Sequence, residues 1–329
     1  MSLESNSHTN PLISVLVPCY NVECFVEQCI ISICQQTYTN LEILCINDGS
    51  TDSTLAILQS YADRDSRIRI ISKPNSGYGH SMNVGLTESK GSYIGIVEPD
   101  DFIEHTMFEK LISKAIAYNL DISRGSYFKH STKSRTDILV DISFVPHEKV
   151  ITPVDDHTPF LLPPSIWCAI YKRELLFNNN IKFLETPGAS YQDTSFAFKT
   201  FYYAERFLLI NEPLVHYRID NPNSSVNNPE KVFCVCEEFN EIWRYARLDN
   251  VRFNKVKKLI PRLELSTYKW NYNRLNSSLK KTFLKQFRQD FIRIKNERLL
   301  DFSSMSNHDR KLLFLLFYIP SLILLRSHI

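Results

Sequence analysis

The feature that most constrains the fold is an alternation of short apolar segments with longer amphipathic ones across residues 12–128. Segments of the first kind predict β-strands, at Ile13–Val17, Leu41–Asn47, Ile68–Ser72, Tyr93–Val97 and Ile122–Tyr127. Segments of the second kind carry apolar residues at helical spacing, at Glu23–Gln36, Asp52–Asp63, His80–Ser89 and Thr106–Tyr118. This order is typical of βα units, so the predicted fold class is α/β, with a Rossmann-like, mixed and mainly parallel sheet flanked by helices.

The rest of the chain divides into further segments. Residues 129–162 are polar and contain several prolines, which predicts a connection or an irregular insertion, and Tyr191–Ala204 predicts a helix. Beyond about Lys231 the pattern is helical to the end. A length of 329 residues suits one catalytic-size domain with an appendage. We therefore expect a disordered N-terminus at 1–10, an α/β domain at 11–225 with halves 11–128 and 129–225, and a helical region at 226–329.

The charge distribution is strongly asymmetric. Residues 1–243 have a net charge of −11, whereas residues 244–298 hold 16 Lys and Arg against four Asp and Glu, a net charge of +12. A basic block of this size predicts an anionic partner such as a membrane surface, a lipid diphosphate or nucleic acid. A solvated helical face is the alternative.

An apolar run closes the chain, from Leu312 to Leu325. A helix of that length reaches about 21 Å, short of the ~30 Å hydrocarbon core, and Pro320 interrupts it. We expect it to lie in the membrane interface beside the basic block, with packing in the protein core or a dimer interface as alternatives. The first ten residues are polar and resemble no signal peptide, and the eight cysteines are expected to be reduced, which predicts a cytoplasmic protein.

Two polar clusters follow predicted strands, and ligands of such sheets gather at the carboxyl ends of strands. The segment Glu98-Pro99-Asp100-Asp101 places three carboxylates together, which favours a hard divalent cation, Mg²⁺ or Mn²⁺, that would bridge a diphosphate. The alternative is a turn before a helix with acids in its first turn. Asp48 offers a carboxylate for a nucleobase N–H or a ribose hydroxyl, beside a polar loop with Asn75 and Gly77, although Asp-Gly-Ser is also an ordinary turn.

Four motifs resemble, in order and spacing, family-2 glycosyltransferases of the GT-A fold. They are Val17-Pro18-Cys19-Tyr20-Asn21, Asn47-Asp48-Gly49-Ser50-Thr51-Asp52, Asn75-Ser76-Gly77 with Asn83-Val84-Gly85-Leu86, and Glu98-Pro99-Asp100-Asp101. The resemblance is strong over residues 11–128 and extends more weakly through Trp167, Tyr171-Lys172-Arg173, Tyr191-Gln192-Asp193 and Tyr217-Arg218.

The resemblance implies inverting transfer of a sugar from a nucleotide-diphosphate donor, a UDP-sugar, to an acceptor hydroxyl. The donor-binding residues that it implies are Pro18, Tyr20, Asn21, Asp48, Asn75, Gly77, Asn83, Glu98, Pro99 and Asp100. Asp48 would meet the nucleobase, and Mn²⁺ or Mg²⁺ would be bound by Asp100 and Asp101. Glu98 departs from the family pattern, because an aspartate usually stands there.

The resemblance also implies a catalytic base, Asp193, which would take the proton from the acceptor hydroxyl. Gln192 replaces the usual glutamate beside it, which should weaken any upward push on the pKa of Asp193. Trp167, Gln192 and His216 are candidates for the acceptor side. For Trp167 a place in the core is the equal alternative.

Other function classes compete with this interpretation. A dinucleotide oxidoreductase needs Gly-x-Gly-x-x-Gly after the first strand, and the motif beginning at Val17 stands there instead, while no P-loop motif occurs. A nucleic-acid or anionic-surface binding module with an inactive nucleotide-sugar fold stays open, since Tyr268, Trp270 and Tyr272 lie among the basic residues. We expect a peripheral enzyme on the inner face of the cell membrane that acts in surface-polysaccharide synthesis on a glycan or polyprenyl-diphosphate-linked glycan. A nucleic-acid partner is not expected, and a homodimer is a further option.

Overall fold

The computed structural model describes residues 10–221, 231–324 and 328–329. The predicted disordered segment 1–10 therefore lies outside the described residues except for Asn10, and so does the predicted domain boundary at 225/226. The described chain divides into two compact units. The first comprises residues 10–152, 165–188 and 203–221, and the second comprises 153–164, 189–202, 231–324 and 328–329.

The first unit is built on one mixed sheet. Its first four long strands are parallel, in the order β3-β2-β1-β4, and comprise β1 (Ile13–Cys19), β2 (Leu41–Asn47), β3 (Ile68–Ser72) and β4 (Tyr93–Ile96). Every residue of β1 is buried, as expected for a central strand covered by helices on both faces. These strands match the four predicted from the apolar segments to within two residues.

The other strands of the sheet are β5 (Phe102–Ile103), β6 (Ile122–Ser131), β7 (Thr136–Leu139), β8 (Ala169–Lys172) and β9 (Phe207–Arg218). The sheet continues from β4 in the order β8-β6-β9-β5, with parallel pairing only between β6 and β9, and β7 pairs with β6. The predicted α/β class and mixed sheet are confirmed, and parallel pairing dominates only its first half.

Helices connect these strands in the first unit, at α1 (Val26–Cys34), α2 (Thr54–Ala62), α3 (Tyr78–Glu88), α4 (Met107–Ala117) and α5 (Arg173–Asn178). One local prediction was incomplete: the segment 129–162, expected to be a connection or an irregular insertion, begins with the end of β6 and contains β7, which together form a β-hairpin. Lys129 of β6 pairs with Ile138 of β7. All four residues of β7 are exposed, so this strand has no buried face and leaves no alternating apolar pattern in the sequence.

The second unit is helical. Its helices are α6 (Gln192–Tyr203), α7 (Cys234–Ala246), α8 (Asn250–Val256), α9 (Ile260–Arg274), α10 (Ser277–Asn296), α11 (Asn307–Tyr318) and α12 (Ser321–Leu324). Tyr268 of α9 packs among the rings of Phe239, Phe283, Phe287 and Phe291, at centroid distances of 5.2 to 6.2 Å. This aromatic cluster joins α7, α9 and α10, and the predicted helical C-terminal region is confirmed.

The C-terminal apolar run forms α11 and α12, with Pro320 between them. One side of the run packs inside the second unit, where Leu313, Leu316 and Ile323 are fully buried. The other side is exposed and comprises Phe314, Tyr318, Ile319, Leu322 and Leu324. Packing in the protein core and contact of the exposed side with a membrane interface thus both have a physical basis. In the described residues, every helix is too short or too polar to cross a lipid bilayer.

Candidate functional site

Parallel strands bring the predicted donor-site motifs to one edge of the first unit. Asp48 follows β2 directly, Tyr20 follows β1, and the acidic segment beginning at Glu98 follows β4 shortly after its end. Because β1 lies between β2 and β4, these chain ends are neighbours at the carboxyl edge of the sheet. The motif order in the sequence therefore produces one cluster in space.

Asp48 organises the loop that precedes α3. Its Oδ1 accepts a hydrogen bond from the backbone N–H of Ser76 at 2.8 Å, and its Oδ2 accepts one from Gly77 at 2.9 Å. Lys73 forms an ion pair with the same carboxylate, which is only 5% exposed. A carboxylate has about four acceptor positions, so these three partners leave one for a ligand. Sequence reasoning did not identify Lys73.

Two glycines are needed for this loop arrangement. Gly49 has a φ of +72°, and a Cβ there would lie 2.8 Å from the backbone nitrogen of Asn75. Gly77 has a φ of +88°, and a Cβ there would lie 2.9 Å from the backbone nitrogen of Gly188. Both positions combine a left-handed conformation with a close backbone approach, which only glycine accommodates without strain. Asn75 is exposed.

The loop after β1 is joined to the loop after β2. Asn21 has a φ of +51°, its Oδ1 accepts a hydrogen bond from Thr51 N–H at 2.8 Å, and its own N–H donates to Ser50 Oγ at 3.1 Å. Tyr20 beside it is 49% exposed, whereas Pro18 is buried within β1. Of the three predicted wall residues, Tyr20 and Asn21 are thus accessible to a ligand.

The acidic segment presents two partly exposed carboxylates and one buried carboxylate. Glu98 Oε1 accepts a hydrogen bond from the Tyr78 hydroxyl at 2.6 Å, which fixes its position from the first residue of α3. Asp100 Oδ2 accepts one from the Asn221 side-chain amide at 2.8 Å. Pro99 between them is buried. Tyr78 and Asn221 have no motif signal of their own, because their roles depend on contacts far apart in sequence.

Asp101, predicted as a metal ligand, lies in a different environment. It is 1% exposed, and its Oδ1 accepts a hydrogen bond from Arg218 N–H at 2.7 Å. Burial, with the charge of Asp100, raises the pKa of Asp101 well above its usual range. The Arg218 guanidinium donates to the Asp100 carbonyl at 2.8 Å and to Gln28 Oε1 at 2.9 Å. This position favours a structural role for Asp101, and its assignment to the metal stays a prediction.

Asn83, predicted to bind the donor, is committed to the protein itself. Its amide nitrogen donates to the Phe183 carbonyl at 3.0 Å and to Glu185 Oε1 at 2.9 Å, and its oxygen accepts from Phe183 N–H at 2.9 Å. The side chain thereby connects α3 to the segment after α5. The amide thus holds a loop in place, and a direct contact of Asn83 with the donor stays a prediction.

The three acceptor-side candidates also lie in the protein interior. Trp167 is 8% exposed and stacks on Tyr217 at 5.3 Å between ring centroids, so the core alternative describes it better. Gln192 is 2% exposed, and its side-chain oxygen accepts a hydrogen bond from Ser190 N–H. His216 is 9% exposed and contacts Glu104 and Asp137. All three are buried, and their assignment to the acceptor side stays a prediction.

Asp193 lies in the first turn of α6, in the second unit, and is partly buried. Burial raises its pKa to about 6, although hydrogen bonds from Thr194 oppose the shift. Gln192 was expected to leave this pKa with little upward push, but burial produces the shift without a glutamate at that position.

A second carboxyl group, Glu238 of α7, lies near Asp193. Its Oε2 accepts a hydrogen bond from Ser195 N–H at 3.1 Å, and the side chain is fully buried. Burial, with a smaller contribution from the charge of Asp193, raises the pKa of Glu238 to about 8. Glu238 lies far from any motif in the sequence, so only the packing of α6 against α7 reveals it.

Comparisons with known proteins agree with this arrangement. The family profile "Glycosyl transferase family 2" matches residues 14–177. EpsJ of Bacillus subtilis, an uncharacterized glycosyltransferase, is 36% identical over 232 residues, which cover 67% of this chain and 64% of EpsJ. The chain thus spans less than two thirds of the length of this relative.

Two solved structures show the same fold. Staphylococcus aureus TarS 1-349 in complex with UDP-GlcNAc has a TM-score of 0.56 and 17% identity, covering 81% of this chain and 82% of that one. The mannosyltransferase PcManGT from Pyrobaculum calidifontis, in complex with GDP-Man and Mn²⁺, has a TM-score of 0.54 and 16% identity, covering 96% and 87%. Through residues 14–177, with their mixed α/β sheet of the GT-A type, the chain belongs to glycosyl transferase family 2.

Proposed function

We propose that this chain is an inverting glycosyltransferase that moves a sugar from a UDP-sugar to a hydroxyl of a glycan or lipid-linked glycan during cell-surface polysaccharide synthesis. The observation that carries the proposal is the family match over residues 14–177, in which Asp48, Glu98 and Asp100 follow neighbouring parallel strands. The name of EpsJ supports glycosyl transfer and specifies no acceptor.

The donor in this proposal is a nucleoside diphosphate sugar. TarS was solved with UDP-GlcNAc and PcManGT with GDP-Man, so both neighbours take donors of this class. In our assignment Tyr20 and Asn21 border the nucleoside, and the remaining acceptor position of Asp48 receives a base N–H. Asn75 and Gly77 line the same loop. The choice of UDP rests on TarS and on the family resemblance.

Glu98 and Asp100 would hold the divalent ion. Both supply carboxylate oxygens, which suit Mg²⁺ and Mn²⁺, and both are partly exposed, unlike Asp101. Hydrogen bonds from Tyr78 and Asn221 hold the two carboxylates in position. When bound, such an ion offsets the negative charge that develops on the departing diphosphate.

Asp193 would act as the base. A carboxyl group with a pKa near 6 is deprotonated at neutral pH and is a stronger proton acceptor than an ordinary aspartate. It would take the proton of the acceptor hydroxyl as that oxygen attacks the anomeric carbon. Its burial supplies the basicity, and its place in the first turn of α6 fixes the backbone that carries it.

The first experiment measures nucleotide release from a panel of nucleotide sugars, with Mn²⁺, with Mg²⁺ and with a chelator. We expect slow release of UDP from one UDP-sugar, and its loss in the chelator, because the diphosphate leaves poorly without a cation. Absence of release from every donor, together with no UDP binding by calorimetry, would contradict the proposal. DNA binding at 50 mM salt in that case would favour the nucleic-acid alternative.

We also propose that the second unit attaches the enzyme to the inner face of the cell membrane. Residues 244–298 carry a net charge of +12, and the exposed side of the C-terminal run presents Phe314, Tyr318 and Leu322. Basic groups are attracted to anionic headgroups, and exposed aromatic and aliphatic side chains can enter the interface. Removal of residues 299–329 would also remove buried Leu313 and Leu316, so point variants test this attachment better.

We expect the protein to float with phosphatidylglycerol liposomes but not with neutral phosphatidylcholine liposomes. The double variant Phe314→Glu/Leu322→Glu should lose more than half of this binding, because it places two anionic groups on the exposed apolar side. Phe302→Glu is the matched control, since Phe302 is exposed and lies outside the run. Unchanged flotation of the double variant would refute the attachment through this surface.

A further inference from the structure

A cluster of two histidines and two carboxylates lies on the first unit, on strands that the glycosyl-transfer proposal does not use. His130 of β6 pairs directly with Asp137 of β7, and His216 lies on β9. Asp137 Oδ1 lies 2.9 Å from His130 Nδ1 and 3.0 Å from His216 Nδ1. Three potential ligand atoms thus lie within 4.8 Å of one another.

The ring of His216 lies between two carboxylates. Its Nδ1 faces Asp137 Oδ1, and its Nε2 faces Glu104 Oε1 at 2.8 Å. A neutral imidazole carries only one N–H, so it can donate to one of these oxygens but not to both. The second nitrogen therefore needs either an additional proton or a cation between it and Asp137.

We propose that His130, Asp137 and His216 bind one divalent ion of the zinc class. Zinc–nitrogen and zinc–oxygen bonds of about 2.0–2.1 Å at tetrahedral angles separate ligand atoms by about 3.3 Å. The two distances to Asp137 Oδ1 are a few tenths of an ångström shorter, and the two Nδ1 atoms lie within 4.8 Å of each other. Side-chain shifts that widen the first two distances and adjust the third would form the site around the ion. Three protein ligands leave a fourth position for water.

The surroundings of His216 match those of a metal-binding histidine. In the proposed site Glu104 accepts the Nε2 hydrogen at 2.8 Å, and this tautomer leaves the lone pair of Nδ1 for the metal. Phe102 stacks on the ring at 4.3 Å between centroids with an interplanar angle of 7°, and Phe128 stacks at 5.2 Å. The ring orientation is thus held on both its faces and at its far nitrogen.

The ligand types select the class of metal. Two imidazoles with one carboxylate favour zinc and other first-row transition metals, whereas Mg²⁺ prefers oxygen ligands such as those of Glu98 and Asp100. Asp137 is exposed, with 37% of its side chain accessible, which gives an ion a path to the site. The ion would join the β6–β7 hairpin to β9. This inference does not depend on the proposed sugar transfer.

The test titrates Zn²⁺ into the full, chelator-stripped chain in competition with a chromophoric chelator, in millimolar Mg²⁺. We expect the unaltered chain to bind one equivalent of Zn²⁺ tightly. Glu104→Gln should weaken this binding 10- to 100-fold, roughly the effect of losing a hydrogen-bond partner of a metal-bound histidine. His130→Ala and Asp137→Asn remove direct ligands, so each should weaken Zn²⁺ affinity at least about 100-fold. Loss of a direct ligand is expected to lower metal affinity at least as much as loss of that ligand's hydrogen-bond partner.

Control variants separate this site from other groups that bind zinc. His308→Ala and Cys24→Ser change exposed side chains elsewhere and should leave the tight equivalent unchanged. Asp100→Ala should also leave it unchanged. Circular dichroism of the zinc-free variants shows whether they fold, and Asp137→Asn preserves side-chain size. Absence of a tight equivalent, or one that survives both ligand variants in folded protein, would overturn the proposal in favour of a protonated His216.

Discussion

Asp193→Asn should abolish sugar transfer while leaving UDP affinity within about twofold. A positioned general base contributes roughly 10²- to 10⁴-fold to a rate, and the amide cannot accept the proton. The change is nearly isosteric and stays in the first turn of α6. Turnover with a glycan acceptor and calorimetric titration of UDP measure the two quantities separately.

The pH dependence adds an independent criterion for this base. With a pKa near 6, Asp193 loses its basic form as the pH falls, so turnover should decline about tenfold per pH unit below 6. Asp155→Asn is the matched control, because it changes an exposed carboxylate that pairs with Lys255 in the same unit. The assignment is wrong if Asp193→Asn keeps most of its turnover.

Asp100→Ala should eliminate the metal dependence of nucleotide binding. In Mn²⁺ we expect UDP affinity to fall by roughly 100-fold, since loss of a direct ligand lowers metal affinity at least as much as loss of that ligand's hydrogen-bonding partner. In a chelator the variant and the unaltered chain should bind UDP equally weakly. Calorimetry in the two buffers gives both values.

Asp101→Asn is the informative comparison for that variant. The amide oxygen can still accept the hydrogen bond from Arg218 N–H, so the buried contact survives. If Asp100 is the ligand, Asp101→Asn should retain the stimulation by Mn²⁺. If both variants lose the stimulation by Mn²⁺ equally, Asp101 is also a metal ligand. If neither variant loses it, the ion binds elsewhere.

The sheet and its helices could be predicted because their signals are local. β2 and β3 match the predicted segments residue for residue, since each is a short apolar run between turns. α1 and α2 are each shorter than predicted at both ends, where polar residues form the turns. The exposed strand β7 was missed because strand prediction depends on a buried face.

The site was predictable only in part, because a motif gives residue types and not their partners. Asp48 and Asp100 lie at the ends of strands, as predicted, but the Asn83 side chain and one carboxylate oxygen of Asp101 make hydrogen bonds to the protein. Those contacts join residues about 100 positions apart, Asn83 to Phe183 and Asp101 to Arg218. Such long-range pairs leave no trace in local spacing. The position of Glu238 beside Asp193 could not be predicted for the same reason.

The buried carboxyl groups of the helical unit take up protons when the unit folds. Burial raises the pKa of Glu238 and of Glu264 to about 8, whereas both groups titrate near 4.5 in an unfolded chain. Between these values the folded unit holds protons that the unfolded chain releases. The contribution of these two groups to its stability is therefore fully present below about pH 4.5 and is lost as the pH rises to about 8. At neutral pH the unit draws protons from the buffer as it folds, and the measured heat of unfolding includes the ionisation heat of that buffer.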